Sequence, residues 1–464
     1  MKAHPSWSYA PYRPPFVEVG DIYICRIVPS ENAIHAEWLP CEGVARYTVC
    51  YRLRGETEFL TAGVTEDCAF DITALESERD YEFQVCSEGG DKSSRVRLAK
   101  TGQSVGTVIH YLHPDDEAYA FSGRYLCSPS LLRHPDGYLL ASMDVYAGMH
   151  PQNLTLIFRS DDDGESWHYV SELFPCFWGK MFLYEGALYM TGVSTEYGDL
   201  LIGRSDDGGV TFTAPTVLLR GGNGKNGEAG VHKNPQPVVE FDGRLWMSWE
   251  WGAWKRGYHA ASVASAPLGS DLLDAENWSF ADPIKYDPTW PGVPQGESAG
   301  NIEGMLTVID GELHNLMRYS MDKLERKWGL IVDYRVNTAE PEAPMTYVGC
   351  IEYPCNNSKF AIVYDEITEL YWSIGSRIYD DEKIRARDLL SVLVSENARD
   401  WRVAWDEFDL RGIDHTKIGF QYVSMEIDGD DLIYQCRTAI NDAHNYHDSN
   451  YATFHRIRNF RQRI

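Results

Sequence analysis

The segment NIEGMLTVIDGELHNLMR, residues 301–318, constrains the fold more than any other stretch of the chain. An apolar strand runs into Asp310-Gly311 and returns as a second strand ending in arginine. A two-residue Asp-Gly turn between alternating apolar residues needs positive φ at both centres and marks a tight hairpin. The same unit recurs as PSLLRHPDGYLLAS (129–142), MFLYEGALYM (181–190), QPVVEFDGRLWMS (236–248), AIVYDEITELYWS (361–373) and VSMEIDGDDLIYQC (423–436). The six turns, near Asp136, Glu185, Asp242, Asp310, Glu366 and Asp428, lie roughly 50 to 70 residues apart. That period, with hairpins as its unit, predicts a six-bladed β-propeller over residues 103–464, each hairpin being the two innermost strands of a blade. SVGTVIHYL (104–112) has no hairpin of its own. It is expected to pair with the last blade around 453–460 and close the ring, removing the free sheet edges.

Ahead of the repeats, residues 1–20 read as a Pro- and aromatic-rich arm, and residues 21–102 as short strands joined by polar turns, a small β-sandwich. Trp38 in AEWLP, Tyr47 in YTVCYR, and Leu75 with Tyr81 in LESERDYEFQV resemble the fibronectin type III pattern over about 80 residues. The resemblance implies a core tryptophan at Trp38, a corner tyrosine at Tyr81 tied back to backbone, and a docking or spacer module without chemistry.

The segments after the first two hairpins carry SDDDGESW (160–167) and SDDGGVTF (205–212), which match S-x-D-x-G-x-[ST]-[WF], the Asp-box. SENARDW (395–401) is a decayed copy. The box is a local device. Its carboxylate accepts from turn amides, its glycine takes positive φ, and its aromatic packs at the blade edge. It points to fold and not to activity.

A formal charge of −27 argues against nucleic acid and anionic membrane surfaces as partners, but leaves room for an acidic ligand in a local cationic funnel. No apolar run follows Met1, and the ten cysteines show neither a CxxC pair nor metal-ligand spacing. The expectation is a cytoplasmic chain with free thiols, no cofactor and no metal. Aromatic content of 13% serves mainly sheet packing, and suits stacking on sugar rings as well.

In a propeller the A–B and C–D turns share one face, so catalytic groups are sought on the other, just before each first strand or just after each second. This selects Arg124, Cys127, Asp144, His150, Glu196, Tyr197, His232, Lys233, Asn234, Glu250, Trp251, His259, Asn301, Glu303, Arg318, Arg377, Gln421, Tyr422, Arg437 and the segment HNYHDSN (444–450) with His447. Together with the Asp-boxes, NIEGMLTVIDGELHNLMR and IGFQYVSMEIDGDDLIYQCR resemble, in the sialidase superfamily, the glutamate-to-arginine hairpin and the segment of the nucleophilic tyrosine. The resemblance implies Tyr422 as nucleophile, Glu303 as its base and Arg318 on a substrate carboxylate, with Arg377 or Arg387 as a further arginine. The family's Arg-Ile-Pro motif is replaced by Cys127-Ser128-Pro129-Ser130, with Arg124 three residues upstream. Asp144 and His150 stand nearest the family's acid/base aspartate, His150 the better placed in its loop.

The resulting expectation is an exo-acting glycoside hydrolase on an oligosaccharide bearing an acidic sugar other than sialic acid. Its catalytic candidates are Tyr422, Glu303, His150, His232 and His259. Its substrate-binding candidates are Arg318, Arg437, Arg377, Arg124, Trp251 and His447. Histidines 150, 232, 259 and 447 on one face keep open a uronate lyase using His or Tyr as base. A non-catalytic carbohydrate-binding propeller is the third reading.

Overall fold

The computed structural model describes residues 20–464 except 118, 120, 149, 223–226, 294–295, 298–299, 320–322, 325–328, 356–357, 381–382 and 384. The described chain is all-β. Its only helical turns are three short 3-10 segments, at Trp254–Arg256, Ala275–Asn277 and Phe460–Arg463. The arm assigned to residues 1–20 lies outside the described residues save Gly20.

From Thr107 to Ile457 the strands form six successive antiparallel sheets of four or more strands, with a small two-stranded pairing of Gly296–Glu297 and Lys323–Leu324 beside the fourth. The fourth shows the pattern: Asn301–Ile309 pairs with Glu312–Tyr319, which pairs with Leu330–Arg335, which pairs with Thr346–Glu352. Its opening turn is tight, with Asp310 at φ 53° and Gly311 at 79°. Glu185-Gly186 and Asp242-Gly243 repeat this double positive φ in the second and third sheets, the backbone that matches the right-handed twist of the flanking strands. In the sixth sheet, Gly419–Asp428, Asp431–Ala439 and Tyr451–Ile457 take Thr107–Tyr111 as their outer strand, with Tyr451 opposite Tyr111. An N-terminal strand thus completes the C-terminal sheet.

The third sheet departs from the pattern. Its inner strand is broken into Gly230–His232 and Val239–Phe241, both paired with Arg244–Ala253. The gap holds Pro235 and Pro237, which have no N–H to give to a ladder. The break leaves His232, Lys233 and Asn234 buried near the axis.

The two full motif turns have matching geometry. Asp162 Oδ1 accepts from the Ser166 amide and Ser160 Oγ accepts from the Gly164 amide, both at 2.8 Å. Asp207 Oδ1 accepts from the Thr211 amide at 2.8 Å, and Ser205 Oγ from the Gly209 amide at 2.9 Å. Trp167 and Phe212 are buried beside these turns. In the third copy Asn397 Oδ1 accepts from the Arg399 and Asp400 amides, both at 2.8 Å.

Residues 24–100 form two further sheets, one of Ile24–Pro29, Ile34–Trp38 and Ala69–Ile72, the other of Leu60–Thr65, Tyr47–Leu53, Asp80–Ser87 and Arg97–Lys100. Trp38 and Tyr47 meet edge-on between them at 5.3 Å. Tyr81 Oη accepts from the Glu76 amide at 2.9 Å. This unit is fastened to the rest: Arg26 Nε donates to Ile109 O at 2.7 Å, and Tyr23 Oη to Glu172 Oε2 at 2.9 Å. All ten cysteines are free thiols, five of them fully buried.

Candidate active site

Four innermost strands break register near the same end, opposite their hairpin turns. At each break stands a residue other than glycine with positive φ: Ser128 (53°), Trp178 (53°), Glu303 (61°) and Tyr422 (54°). Such a backbone costs about 1–3 kcal/mol per residue and persists only where the surroundings enforce it. A bulge of this kind re-aims one side chain out of the strand's alternation.

Two of these side chains meet across the ring. Tyr422 Oη, from the sixth sheet, donates to Glu303 Oε1, from the fourth, at 2.6 Å. The other carboxylate oxygen lies 2.6 Å from Arg318 Nε. Arg318 sits opposite Ile302 on the neighbouring strand, so the base and its cation come from one hairpin. Three guanidiniums surround the phenol ring: Arg437 at 5.0 Å from its centroid, Arg387 at 5.8 Å and Arg318 at 5.9 Å. Arg437 stands opposite Gln421. Arg387 arrives from the segment ahead of the strand Leu389–Ser395, held where its carbonyl accepts from the Phe420 amide at 2.7 Å.

The electrostatics follow from crowding. Burial, with Arg318 and Arg437 close by, lowers Arg387 to about 10 despite the opposing pull of Tyr422. Burial also raises Tyr422; Glu303 adds to this, while the three arginines oppose it. The phenol is therefore neutral and hydrogen-bonded to a carboxylate. Three guanidiniums gathered on one phenol, in a chain whose net charge is −27, suit the reception of an anionic group.

A second cluster adjoins the first. His232 Nδ1 lies 2.6 Å from Glu250 Oε2, and Glu250 Oε1 accepts from the Gly304 amide at 3.3 Å. Glu250 is thus pinned beside the strand that carries Glu303. His259 Nε2 is 3.1 Å from Tyr197 Oη, and the rings of His232 and His259 are 5.1 Å apart. Trp178 covers His232 at 4.4 Å and Trp254 covers His259 at 4.5 Å. On the other flank His447 Nδ1 lies 2.7 Å from Tyr146 Oη and 2.8 Å from Asp448 Oδ1. Arg437 donates to the His447 carbonyl. Burial and the Arg437 cation push His447 down to about 4, so its ring is neutral at pH 7.

The structure thus brings together Tyr422, Glu303, Arg318 and Arg437, with His447, His232 and His259 at the flanks. It sets five other candidates apart. Arg377 is tied to Asp406 on an outer strand at 2.7 Å, and of the two arginines named for the further position it is Arg387 that reaches Tyr422. Arg124 pairs with Glu117 at 3.3 Å at the surface. Trp251 packs edge-on against Trp249 at 6.4 Å, on the face of its strand opposite Glu250, because successive side chains alternate. His150 is half-buried in its loop, its amide bonded to Ala147 O at 2.9 Å, and none of its described contacts reaches Tyr422 or Glu303. Asp144 is fully buried, accepting from Thr155 Oγ1 at 2.5 Å and the Trp178 amide at 2.6 Å, and burial raises it to about 7.

Trp178 and Tyr146 were missed. Both had a positional signal. Trp178 precedes its turn residue Glu185 by seven, as Glu303 precedes Asp310, and Tyr146 ends its second strand as Arg318 and Arg437 come near the ends of theirs.

No protein-family profile matches the chain, and no curated protein matches it in sequence. Solved structures do match. The α-L-arabinofuranosidase Arb93A of Fusarium graminearum, solved with an iminosugar inhibitor, aligns over 76% of this chain and 98% of its own, with 13% identity and a TM-score of 0.50. The fold is an all-β propeller. A leech intramolecular trans-sialidase covers 95% of this chain and 91% of its own, at 10% identity and TM-score 0.48. An ulvan lyase, from a polysaccharide lyase family, covers 95% and 94%, at 11% identity and TM-score 0.44. At these identities the likeness speaks to the fold of the propeller alone.

Proposed function

We propose that residues 103–464 are a six-bladed propeller carrying Asp-boxes, that residues 21–102 are a fibronectin type III-like module, and that the chain is an exo-acting glycoside hydrolase. Its substrate is an oligosaccharide with an acidic sugar. The observation that carries this reading is the 2.6 Å hydrogen bond from Tyr422 to Glu303 beneath three guanidiniums. A free phenol, with its ordinary pKa of about 10, is a poor nucleophile at neutral pH. Here Glu303 takes the phenolic proton as Tyr422 Oη bonds to the anomeric carbon, and the glycosidic C–O bond breaks, its oxygen leaving as an alcohol with a proton from solvent. The neutral phenol approaches an anionic sugar without repulsion, while Arg318, Arg387 and Arg437 hold its carboxylate. Water then attacks the glycosyl-tyrosine, releasing the sugar and returning the proton to Tyr422. Exo-action rests on the family resemblance, and the sugar is other than sialic acid because Cys127-Ser128-Pro129-Ser130 stands where that family has its Arg-Ile-Pro motif.

A second reading is favoured by the His232–Glu250 and His259–Tyr197 contacts. It is a uronate lyase, in which a histidine or tyrosine removes the proton beside a carboxylate neutralised by arginine and the 4-oxygen leaves. Incubation with a panel of acidic oligosaccharides, products weighed by mass spectrometry, decides between them. Hydrolysis adds one water across the products. Elimination adds none and creates an ultraviolet-absorbing double bond. Turnover that survives in both Tyr422→Phe and Glu303→Gln removes the Tyr–Glu mechanism.

A further inference from the structure

Beneath the Tyr422–Glu303 layer, toward the hairpin turns, the axis of the ring holds three lysines from three different sheets. Lys180, Lys233 and Lys359 are at most 6% exposed. Lys359 Nζ donates to Val423 O at 3.2 Å, one residue along from Tyr422. Lys233 Nζ donates to Asn234 O at 3.2 Å, and Lys180 Nζ makes a long contact of 3.5 Å to Leu131 O. These are single carbonyl contacts for groups with three N–H donors each. Among the described residues no carboxylate comes within ion-pair distance of any of the three ammoniums. Lys180 and Lys359 line a cavity of about 480 Å³, together with Gln236, Met305, Tyr364 and Glu426.

The three ammoniums are close enough to perturb one another. Burial, with Lys180 near each, lowers Lys233 and Lys359 to about 7. The charged groups that face them are few. Glu426 attracts Lys180, though its own Oε2 accepts from the Arg133 amide at 2.9 Å. Asp144, Glu250 and the Cys176 thiol lie near Lys233, and Glu303 near Lys359. Asp144, Glu250 and Glu303 already hold Trp178 and Thr155, His232 and Gly304, and Tyr422 and Arg318 respectively. Glu426 offsets one cation and leaves two without a dedicated partner, in a cavity with room for a guest.

We infer that the axial cavity is a binding site for a small inorganic anion, a phosphate-class oxyanion or a halide, held by Lys180 and Lys359 on its wall with the Lys233 cation behind them, one layer below the proposed catalytic groups. An anion supplies the acceptors these ammoniums lack and relieves their mutual repulsion. Because it favours their charged forms, binding takes up protons and strengthens as the pH falls through about 7.

The test is thermal unfolding of the full chain in potassium phosphate, in potassium bromide and in potassium gluconate at matched ionic strength, at about pH 6 and about pH 8. Gluconate controls for general screening of a −27 chain. The expected result is a saturable rise of about 2–3 °C over gluconate, larger at the lower pH, and absent in Lys233→Met/Lys359→Met. A response to phosphate alone identifies an oxyanion site, and one to bromide alone a halide site. No rise over gluconate with either salt, or an equal rise in the double variant, overturns the inference. Should the variant fail to fold, wild-type crystals soaked in bromide and in phosphate decide: an anomalous bromide peak or phosphate density between the lysines supports the site, and the absence of both refutes it. None of these readouts depends on turnover, so the result is separate from the fate of the hydrolase reading.

Discussion

Tyr422→Phe removes one oxygen and leaves almost everything else in place. Phenylalanine inherits the same strained backbone at φ 54° and the same ring beneath three guanidiniums at 5.0–5.9 Å. Glu303 keeps Arg318 at 2.6 Å. The loss to stability is one hydrogen bond to a charged group at a wet mouth, about 1–2 kcal/mol. At roughly 2 cal/mol/K of unfolding entropy per residue, that shifts the midpoint by only about 1–2 °C. The loss to catalysis is the nucleophile itself, and kcat should fall by about 10³-fold or more, about 4 kcal/mol of barrier. KM for an acidic substrate should hardly change, because the arginines remain. Glu303→Gln should behave differently. It removes the carboxylate charge paired with Arg318, so kcat falls while KM for an anionic substrate falls as well. Steady-state kinetics with mass-resolved products, beside thermal unfolding of each variant, separate the cases. A Tyr422→Phe enzyme that folds normally and keeps kcat within tenfold of wild type would refute the nucleophilic role.

Arg437→Met and Arg387→Met should each raise KM for acidic oligosaccharides by about 10- to 100-fold, the worth of one charge-assisted hydrogen bond. Neutral analogues should be affected far less, and equal losses on both would show that the arginines only hold the fold. Glu172, buried where Tyr23 and Tyr169 donate to it at 2.9 and 2.8 Å, is raised by burial from 4.5 to about 7. A carboxyl raised in the folded state contributes stability below its unfolded pKa and loses it as pH rises through about 7, of order 3 kcal/mol here. Unfolding midpoints measured from about pH 5 to about pH 8 should therefore fall less steeply in Glu172→Gln than in wild type; parallel curves would contradict the assignment. Gly164→Ala places a methyl group into the Phe454 ring at a residue with φ 91° and should destabilise by about 2 kcal/mol or more. An unchanged unfolding midpoint would show that this turn yields freely.

What could be read from residues alone was whatever is decided within a few positions. Asp310-Gly311 and Asp242-Gly243 announce their turns because only such pairs take two positive φ values cheaply. The motif at 160–167 builds its own hydrogen bonds, so its geometry travels with the residues. The unpaired apolar strand at 107–111 could be assigned to the last sheet because an exposed edge is costly. The site obeys a different logic. Glutamate, tyrosine, serine and tryptophan have no intrinsic leaning toward positive φ, so nothing local marks Glu303, Tyr422, Ser128 or Trp178 as bulged; the neighbouring strands impose it. Arg387 is harder still. It lies outside any hairpin and is brought to Tyr422 by a bridge to Gly419, whereas Arg377, ten residues earlier and apparently better placed at a strand end, is captured by Asp406. The break in the third sheet shows why the deeper layer escaped notice as well. The hairpin expected over 236–248 begins its first strand only at Val239, because Pro235 and Pro237 give no N–H to the ladder, and the gap leaves Lys233 buried. Residues whose conformation is set by partners far along the chain carry no local signature. In this chain they are the ones that hold the chemistry.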